Sequence, residues 1–521
     1  MLVVFALLGV VAGTRRVCLF FAAGRLVHPV YNGMAIAVSL FAVLAFVGVA
    51  TVTPLQPKNA LLIVLGGVGG LLLAALLIAP YLRKFGGVTV PDFFGERFGT
   101  MARVLAVLVV IAVAFPALVL ALSALGTFVV QALNVDFQEG IAVVVAMLLA
   151  STLFGGMRGL SAILSLQYAV LLAVSGVALG LGLLREGSFA GAVPDDTHLP
   201  DLALTLGLAG FAPDDSVNQA ALIFCLVAGT AVFPHALMHA FTTPSVDNTR
   251  WSFFWAIPLI AALLALAPAY AALSETSPVA AARSGSILYA GLLILGAITA
   301  LLAVASGLLL AMSNAISYDV IYRSLYSTAT PAIRLFAARA VLVGVAALAA
   351  FASLRGPSEI VAMTPAAISV AASGLLPGLL LGIWWKRTNA AGAVSGMVVG
   401  IVVSLCYFLL PRYFPITFYE MSSLVFASGD DIARYATLKE AYALAGGLAK
   451  EAARTAWEQE LHARTLWWGI KDVLAGVFAV PVSLLAMILV SLVTKRPSPD
   501  MQAFVMELRR RDAESEARTA V

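Results

Sequence analysis

Long apolar stretches recur along this chain, separated by short joints that carry most of its charge. A helix rises about 1.5 Å per residue, so about 20 apolar residues cross the hydrocarbon core of a bilayer. Runs of that length, or close to it, lie near residues 31–51, 59–82, 102–132, 138–155, 160–184, 217–240, 251–273, 286–317, 332–354, 359–386, 389–410 and 470–494. The opening run LVVFALLGVVAG, residues 2–13, is shorter than a span, and no small-residue cleavage site leads from it into a soluble domain. It reads as a shortened first helix, so the pattern predicts an all-α membrane protein with about 13 crossings.

Three of these runs carry helix-breaking residues. GTAVFPH at 229–235 and TPAAISVAASGLLPG at 364–378 place Gly and Pro within a span, and NGMAIA at 32–37 puts Gly33 at the head of another. Backbone freed of its helical bonds in a membrane is tolerated where it is buried in protein or lines a cavity. Transporters built from inverted repeats break corresponding helices of their two halves and bind substrate there. With 31–51 as the first core helix, 217–240 is the sixth, which fits a five-plus-five repeat. A plain packing kink at Pro234 is the alternative.

Composition agrees with lipid as the solvent. Hydrophobic residues make up 62% of the 521 positions and charged residues 11%, against roughly 25% charged in soluble domains. The net charge of +4 offers no nucleic-acid signature, and Cys18, Cys225 and Cys406 are too scattered for a disulfide framework or a metal site. An N-terminus outside places Arg15, Arg16, Arg25, Arg83, Lys84, Arg97, Arg158, Arg250, Arg323, Arg334, Lys386 and Arg387 in inner loops. The outer loops keep little beyond Lys58, Arg185, Arg283 and Arg355, as the positive-inside rule requires. An acidic stretch, with Asp195, Asp196, Asp201, Asp214 and Asp215, falls in the outer loop at 185–216. The expected organisation is one transmembrane domain over 1–497, in the plasma (inner) membrane, with its core at about 31–386. A polar extracytoplasmic segment at about 411–469 should form one or two amphipathic helices, and 498–521 a short charged cytoplasmic tail.

The motifs FFAAGRLVHPVYNGMAIA (20–37), APYLRKFGGVTVPDFFGERFG (79–99), FGGMRGLSAILSLQYAVLL (154–172), GTAVFPHALMHAFTTPSVDNTR (229–250), SGLLLAMSNAISYDVIY (306–322) and LPGLLLGIWWKRTNAAGAVSGMVVG (376–400) follow in order over roughly residues 20–497. Together they resemble the sodium:solute symporter family, and within it the branch of acetate and other monocarboxylate permeases. The resemblance implies a LeuT-type core of ten helices, with one helix before it and two after. It also implies a sodium ion held between the first and eighth core helices. Two backbone carbonyls of the first match Val38 and Phe41 here. The eighth should supply two adjacent hydroxyl residues, but counting back from the closing Asp319 places Ala303 and Val304 there. Neither offers an oxygen to a hard cation, which takes several oxygen ligands. Thr299 and Ser306, on neighbouring turns, are not obvious replacements. The polar segment that the branch carries after NGMA is VSLFAVLAFVG at 38–48, with Ser39 its one polar side chain. Ile163 and Leu164 stand where the branch has a Thr-Gln pair, leaving Gln167. A dry central cavity is therefore expected.

Ser39, Gln167, Thr230, His235 and Ser306 remain as candidate substrate-binding residues. His235, at the break, could donate to a carboxylate, carry a proton or cap freed backbone. Gln167 is a buried amide that suits either a cavity wall or a helix–helix bond. His239, a turn later, is expected at the interface. Ser306, Ser313 and Ser317 form a small face suited to close helix packing, and Asp319 with Arg323, a turn apart, is expected to pair.

The leading reading is a secondary active transporter, a cation:solute symporter that moves a small organic anion such as acetate by alternating access. Sodium is its candidate coupling ion, with that coupling weakened or replaced by protons or the membrane potential. One charge crossing 100 mV is worth about 2.3 kcal/mol, enough for more than a tenfold solute gradient at about 1.4 kcal/mol per factor of ten. The competing reading is a symporter-like protein that has lost transport and acts as a sensor or structural partner. No nucleophile–base pair, metal cluster or phosphate loop supports an enzyme, and no cofactor is called for. The expected partners are the anion, the bilayer and a small accessory membrane protein, with no nucleic acid.

Overall fold

The computed structural model describes residues 2–43, 57–186, 215–274, 287–355, 363–426, 429–446, 448–464 and 466–510. The acidic residues Asp195, Asp196, Asp201 and Asp214, and the second half of the run 31–51, lie outside them.

Helices account for most of the described residues. They are α1 (Leu2–Val11), α2 (Pro29–Val43), α3 (Pro57–Leu73), α4 (Ala79–Phe85), α5 (Val90–Phe98), α6 (Thr100–Leu133), α7 (Phe137–Thr152), α8 (Gly156–Glu186), α9 (Ser216–Thr230) and α10 (Pro234–Leu237). After them come α11 (Val246–Ser274), α12 (Ile287–Asn314), α13 (Pro331–Leu354), α14 (Thr364–Trp384), α15 (Ala390–Tyr413), α16 (Pro415–Phe426), α17 (Gly429–Leu444), α18 (Leu448–Arg464), α19 (Gly476–Val493) and α20 (Pro499–Arg509). Ten helical stretches among the described residues are long and apolar enough to cross a membrane. The stretches Pro29–Phe41 and Phe137–Thr152 are apolar but shorter, and α1 has 10 residues. α2 packs against α8, α11 and α12, while α6 packs against α12 and α14. A core of mostly small and aliphatic side chains, among them Ile36, Ala37, Leu71, Leu164, Leu301 and Ala371, fills the space between.

Of the three breaks expected from Gly and Pro, one forms among the described residues. α9 stops at Thr230, and Phe233, at φ −56° and ψ 121°, turns the chain before α10 starts at Pro234. The run 364–378 is instead continuous within α14, with Pro377 inside the helix. Proline has no N–H, so the carbonyl four residues earlier is freed. Ser483 of α19 donates to that carbonyl, at Ser373, over 3.0 Å, and the helix continues. Gly33 does not interrupt α2 either. A Cβ there would lie 2.9 Å from Trp255 Cβ and 3.0 Å from the Ser252 carbonyl, so this glycine permits α2 and α11 to approach.

The polar segment after α15 forms three helices, more than the expected one or two, with Tyr419, Trp457 and Leu461 buried between α16, α17 and α18. The expected charged tail begins as a docked helix, α20. Its Val505 and Leu508 are buried, Phe504 meets Phe85 edge-on, and Arg509 donates to the Trp384 carbonyl.

Gly33→Ala should lower the melting temperature of the detergent-purified protein, because the facing atoms are backbone and Cβ and cannot swing away. Overpacking of this kind costs about 1–3 kcal/mol; an unchanged melting temperature would show that α2 and α11 are not in close contact there.

Candidate functional site

The break at Ala231–Phe233 is flanked by Thr230 and His235, both buried. His235 sits in the first turn of α10, against α2 and α12. Its ring stacks at a tilt on Phe233, with centroids 5.5 Å apart, and its Cβ is 3.8 Å from where a Cβ on Gly307 would be. His235 Nδ1 is buried and has no hydrogen-bond partner. Gln167 lies on α8, which also packs on α2 and α12, and is fully buried with both amide atoms unpartnered. Burying an amide or an imidazole nitrogen without a partner is costly, so both point to a polar group that arrives from elsewhere. Ser39 and Ser306 do not add to this set. Ser39 donates to the Ile36 carbonyl at 3.1 Å and Ser306 to the Leu302 carbonyl at 2.7 Å, each within its own helix. Thr230 is buried at the end of α9, against Gly70 of α3.

His239 is fully buried within the protein. It lies in the 3-10 turn Met238–Phe241, where its Nδ1 is 3.1 Å from Asn32 Oδ1, while Asn32 Nδ2 donates to the His239 carbonyl at 2.9 Å. Thr242 donates to the same pair of acceptors. Asn32 and His239 are 207 residues apart, so spacing alone could not join them. The signal was a lone amide beside Gly33 in an apolar run.

This broken helix, with apolar spans packed around it, is the architecture of a transporter. A sequence profile of the sodium:solute symporter family matches residues 20–400. The chain belongs to the sodium:solute symporter family. An uncharacterized symporter of Cupriavidus necator is 27% identical over 670 aligned positions, covering 97% of this chain and 92% of its own length. A monocarboxylic acid transporter of Corynebacterium glutamicum is 28% identical over 433 positions, covering 75% of this chain and 78% of its own. A Na+-coupled sialic acid symporter, in a substrate-bound outward-open state, superposes with a TM-score of 0.67 at 15% identity, over 95% of this chain and 97% of that one. At that identity the likeness establishes the fold, which is LeuT-type. The protein is thus a multi-pass cation:solute symporter and not an enzyme.

In this symporter, Val38 and Phe41 both lie within α2, which is continuous to Val43. Both are buried, and the Phe41 ring fills the space beside Gly67 of α3. Ala303 is buried and Val304 half-buried on α12, which packs on α2. Thr299, one turn before Ala303, has a buried hydroxyl with no partner. It was passed over in the sequence because it lies off the expected pair.

A second polar cluster closes the basic end of the bundle. Asp319 and Arg323 do not pair with each other. Residues Ala315–Leu325 form a π-helix, in which positions four apart no longer stack. Asp319 instead accepts from Thr89 at 2.6 Å and lies 3.9 Å from Arg103, while Arg323 pairs with Asp92 at 3.1 Å and Glu96 at 3.1 Å. Arg103 also faces Asp92 at 3.6 Å. Burial pushes the Asp92 carboxyl up, and Arg323 and Arg103 pull it back. The cluster ties α5, the start of α6 and the π-helix that follows α12 together. Arg97, expected in an inner loop, lies on α5, is buried and donates to the carbonyls of Gly382 and Thr388.

Removing one member of a buried ion pair costs about 3–5 kcal/mol because a charge is left uncompensated. Arg103→Leu should therefore lower the melting temperature strongly, and Asp319→Asn added to it should recover part of the loss. A double variant no more stable than Arg103→Leu would contradict this pairing.

Proposed function

We propose that this symporter carries a small monocarboxylate, such as acetate, propionate or pyruvate, by alternating access. The observation that carries the reading is the buried, unpartnered His235 Nδ1 beside the break, with the unpartnered Gln167 amide on α8, which packs on the same two helices, α2 and α12. A carboxylate oxygen accepts from the Gln167 amide, and from His235 Nδ1 when that nitrogen carries a hydrogen. The apolar surroundings suit a short alkyl or acyl tail rather than a polyhydroxylated solute. The similarity to the monocarboxylic acid transporter of Corynebacterium glutamicum supports the same substrate class.

Coupling to sodium is weakened in this reading. Ala303 and Val304 supply no side-chain oxygen. The N-terminus lies outside and the C-terminus in the cytoplasm, following the distribution of arginine and lysine in the loops.

The test is exchange of labelled acetate, propionate and pyruvate in proteoliposomes without any imposed gradient. The wild type should exchange at least one of them. His235→Ala and Gln167→Leu should each raise the half-saturation concentration roughly ten- to hundredfold, as loss of a hydrogen bond to a charged group of about 1.5–3 kcal/mol requires. Exchange unchanged in both variants would remove these residues from the site, and no exchange in the wild type would favour the transport-deficient reading. Ala303→Ser with Val304→Thr should increase the response to sodium; no increase would show that more than these two oxygens is missing.

A further inference from the structure

His235 and His239 are the imidazoles within the described membrane spans, and the substrate reading uses one of them. The other is held in a defined state. Asn32 Nδ2 donates to the His239 carbonyl, which turns Asn32 Oδ1 toward the imidazole at 3.1 Å. An acceptor in that position requires His239 Nδ1 to carry the hydrogen. Nε2 is then the nitrogen with the lone pair, and it is buried with no partner among the described residues.

The surroundings leave that nitrogen without a counter-charge. The turn that carries His239 packs on α2, α4, α10 and α11. α2 brings Tyr31, which is exposed, and α10 brings His235. On α4, Tyr81 packs on Trp384, Lys84 donates to the Arg510 carbonyl, and Arg83 is engaged by the carbonyls of Thr243 and Pro244. The carboxylate of α11, Asp247, is exposed and pairs with Arg250 at 3.3 Å.

We propose that His239 Nε2 is the binding site of a co-transported proton. This rests on the monocarboxylate reading above. A lone imidazolium buried here is costly, and so is a lone carboxylate at His235 and Gln167 one turn away. When both are present each offsets the other, so proton and anion raise each other's affinity by the same factor. The carrier then crosses loaded with both or empty. One anion and one proton enter from one side, the proton bonds to Nε2, and both leave on the other side with no net charge moved. Asn32 is a positioning residue that keeps Nε2 free.

The experiment uses the full chain in sodium-free proteoliposomes with the membrane potential clamped to zero. Pyruvate is the probe because it is almost wholly ionised, and protein-free vesicles correct for leak. With the outside one pH unit more acidic, the wild type should hold pyruvate at a steady-state ratio of about tenfold, the value for one proton per anion. Trapped pyranine should report acidification when pyruvate is added. His239→Gln, which keeps size and polarity but takes no proton, should bring the ratio to about one. A steady-state ratio does not depend on how fast the variant turns over. Accumulation retained in His239→Gln overturns the proposal, as does wild-type exchange of labelled pyruvate with no pH-driven accumulation. Absence of any wild-type exchange overturns the monocarboxylate reading along with it.

Discussion

The constraint on which this structure depends is that the hydrocarbon core offers no water to an unpaired backbone group. Wherever the helical ladder is interrupted, another part of the protein must take over, and Pro377 and Pro234 show two opposite ways of doing so. At Pro377 a serine from α19 supplies the missing donor, and the helix runs on. At Pro234 the helix stops at Thr230 and restarts, which leaves a gap in the ladder within the bundle. That gap is where the buried imidazoles gather, and the functional reading follows from it.

Around the gap, two kinds of polar group can be told apart by their partners. Ser39, Ser306 and Ser317 bond to carbonyls of their own helices, and Ser313 bonds across to the Ala338 carbonyl of α13. These hydroxyls are structurally committed. Gln167, His235, His239 and Thr299 each keep a buried polar atom without a partner. Native interiors rarely tolerate such atoms, and Ser161, Asn314 and Thr364 of the membrane helices keep one as well. The ion-pair cluster at the basic end is of a different kind, with its charges largely engaged with one another across α5, α6 and the π-helix after α12.

The membrane class, the break at Pro234 and the family were legible in the sequence because they are local or carried by ordered motifs. Apolar run length marks spans, and proline followed by a histidine in such a run marks an unusual position. What was not legible depends on neighbours distant in sequence. Nothing near Pro377 announces Ser483, and nothing near Gly33 announces Trp255. The expected Asp319–Arg323 pair assumed α-helical stacking, whereas the π-helix turns the two residues toward different partners on α5 and α6. His239 was expected at the interface because the basic loop follows it closely, yet the chain packs that turn under α2 and α11 and buries it.

The proposed function requires a carboxylate at the helix break and no metal ion between α2 and α12. The most direct measurement is a high-resolution cryo-electron microscopy structure of the protein in lipid nanodiscs with saturating sodium and pyruvate. The account predicts carboxylate density within hydrogen-bond distance of His235 Nδ1 or the Gln167 amide, and no ion beside Ala303 and Val304. An ion coordinated by the Val38 and Phe41 carbonyls together with the hydroxyl of Thr299 or Ser306 would contradict it.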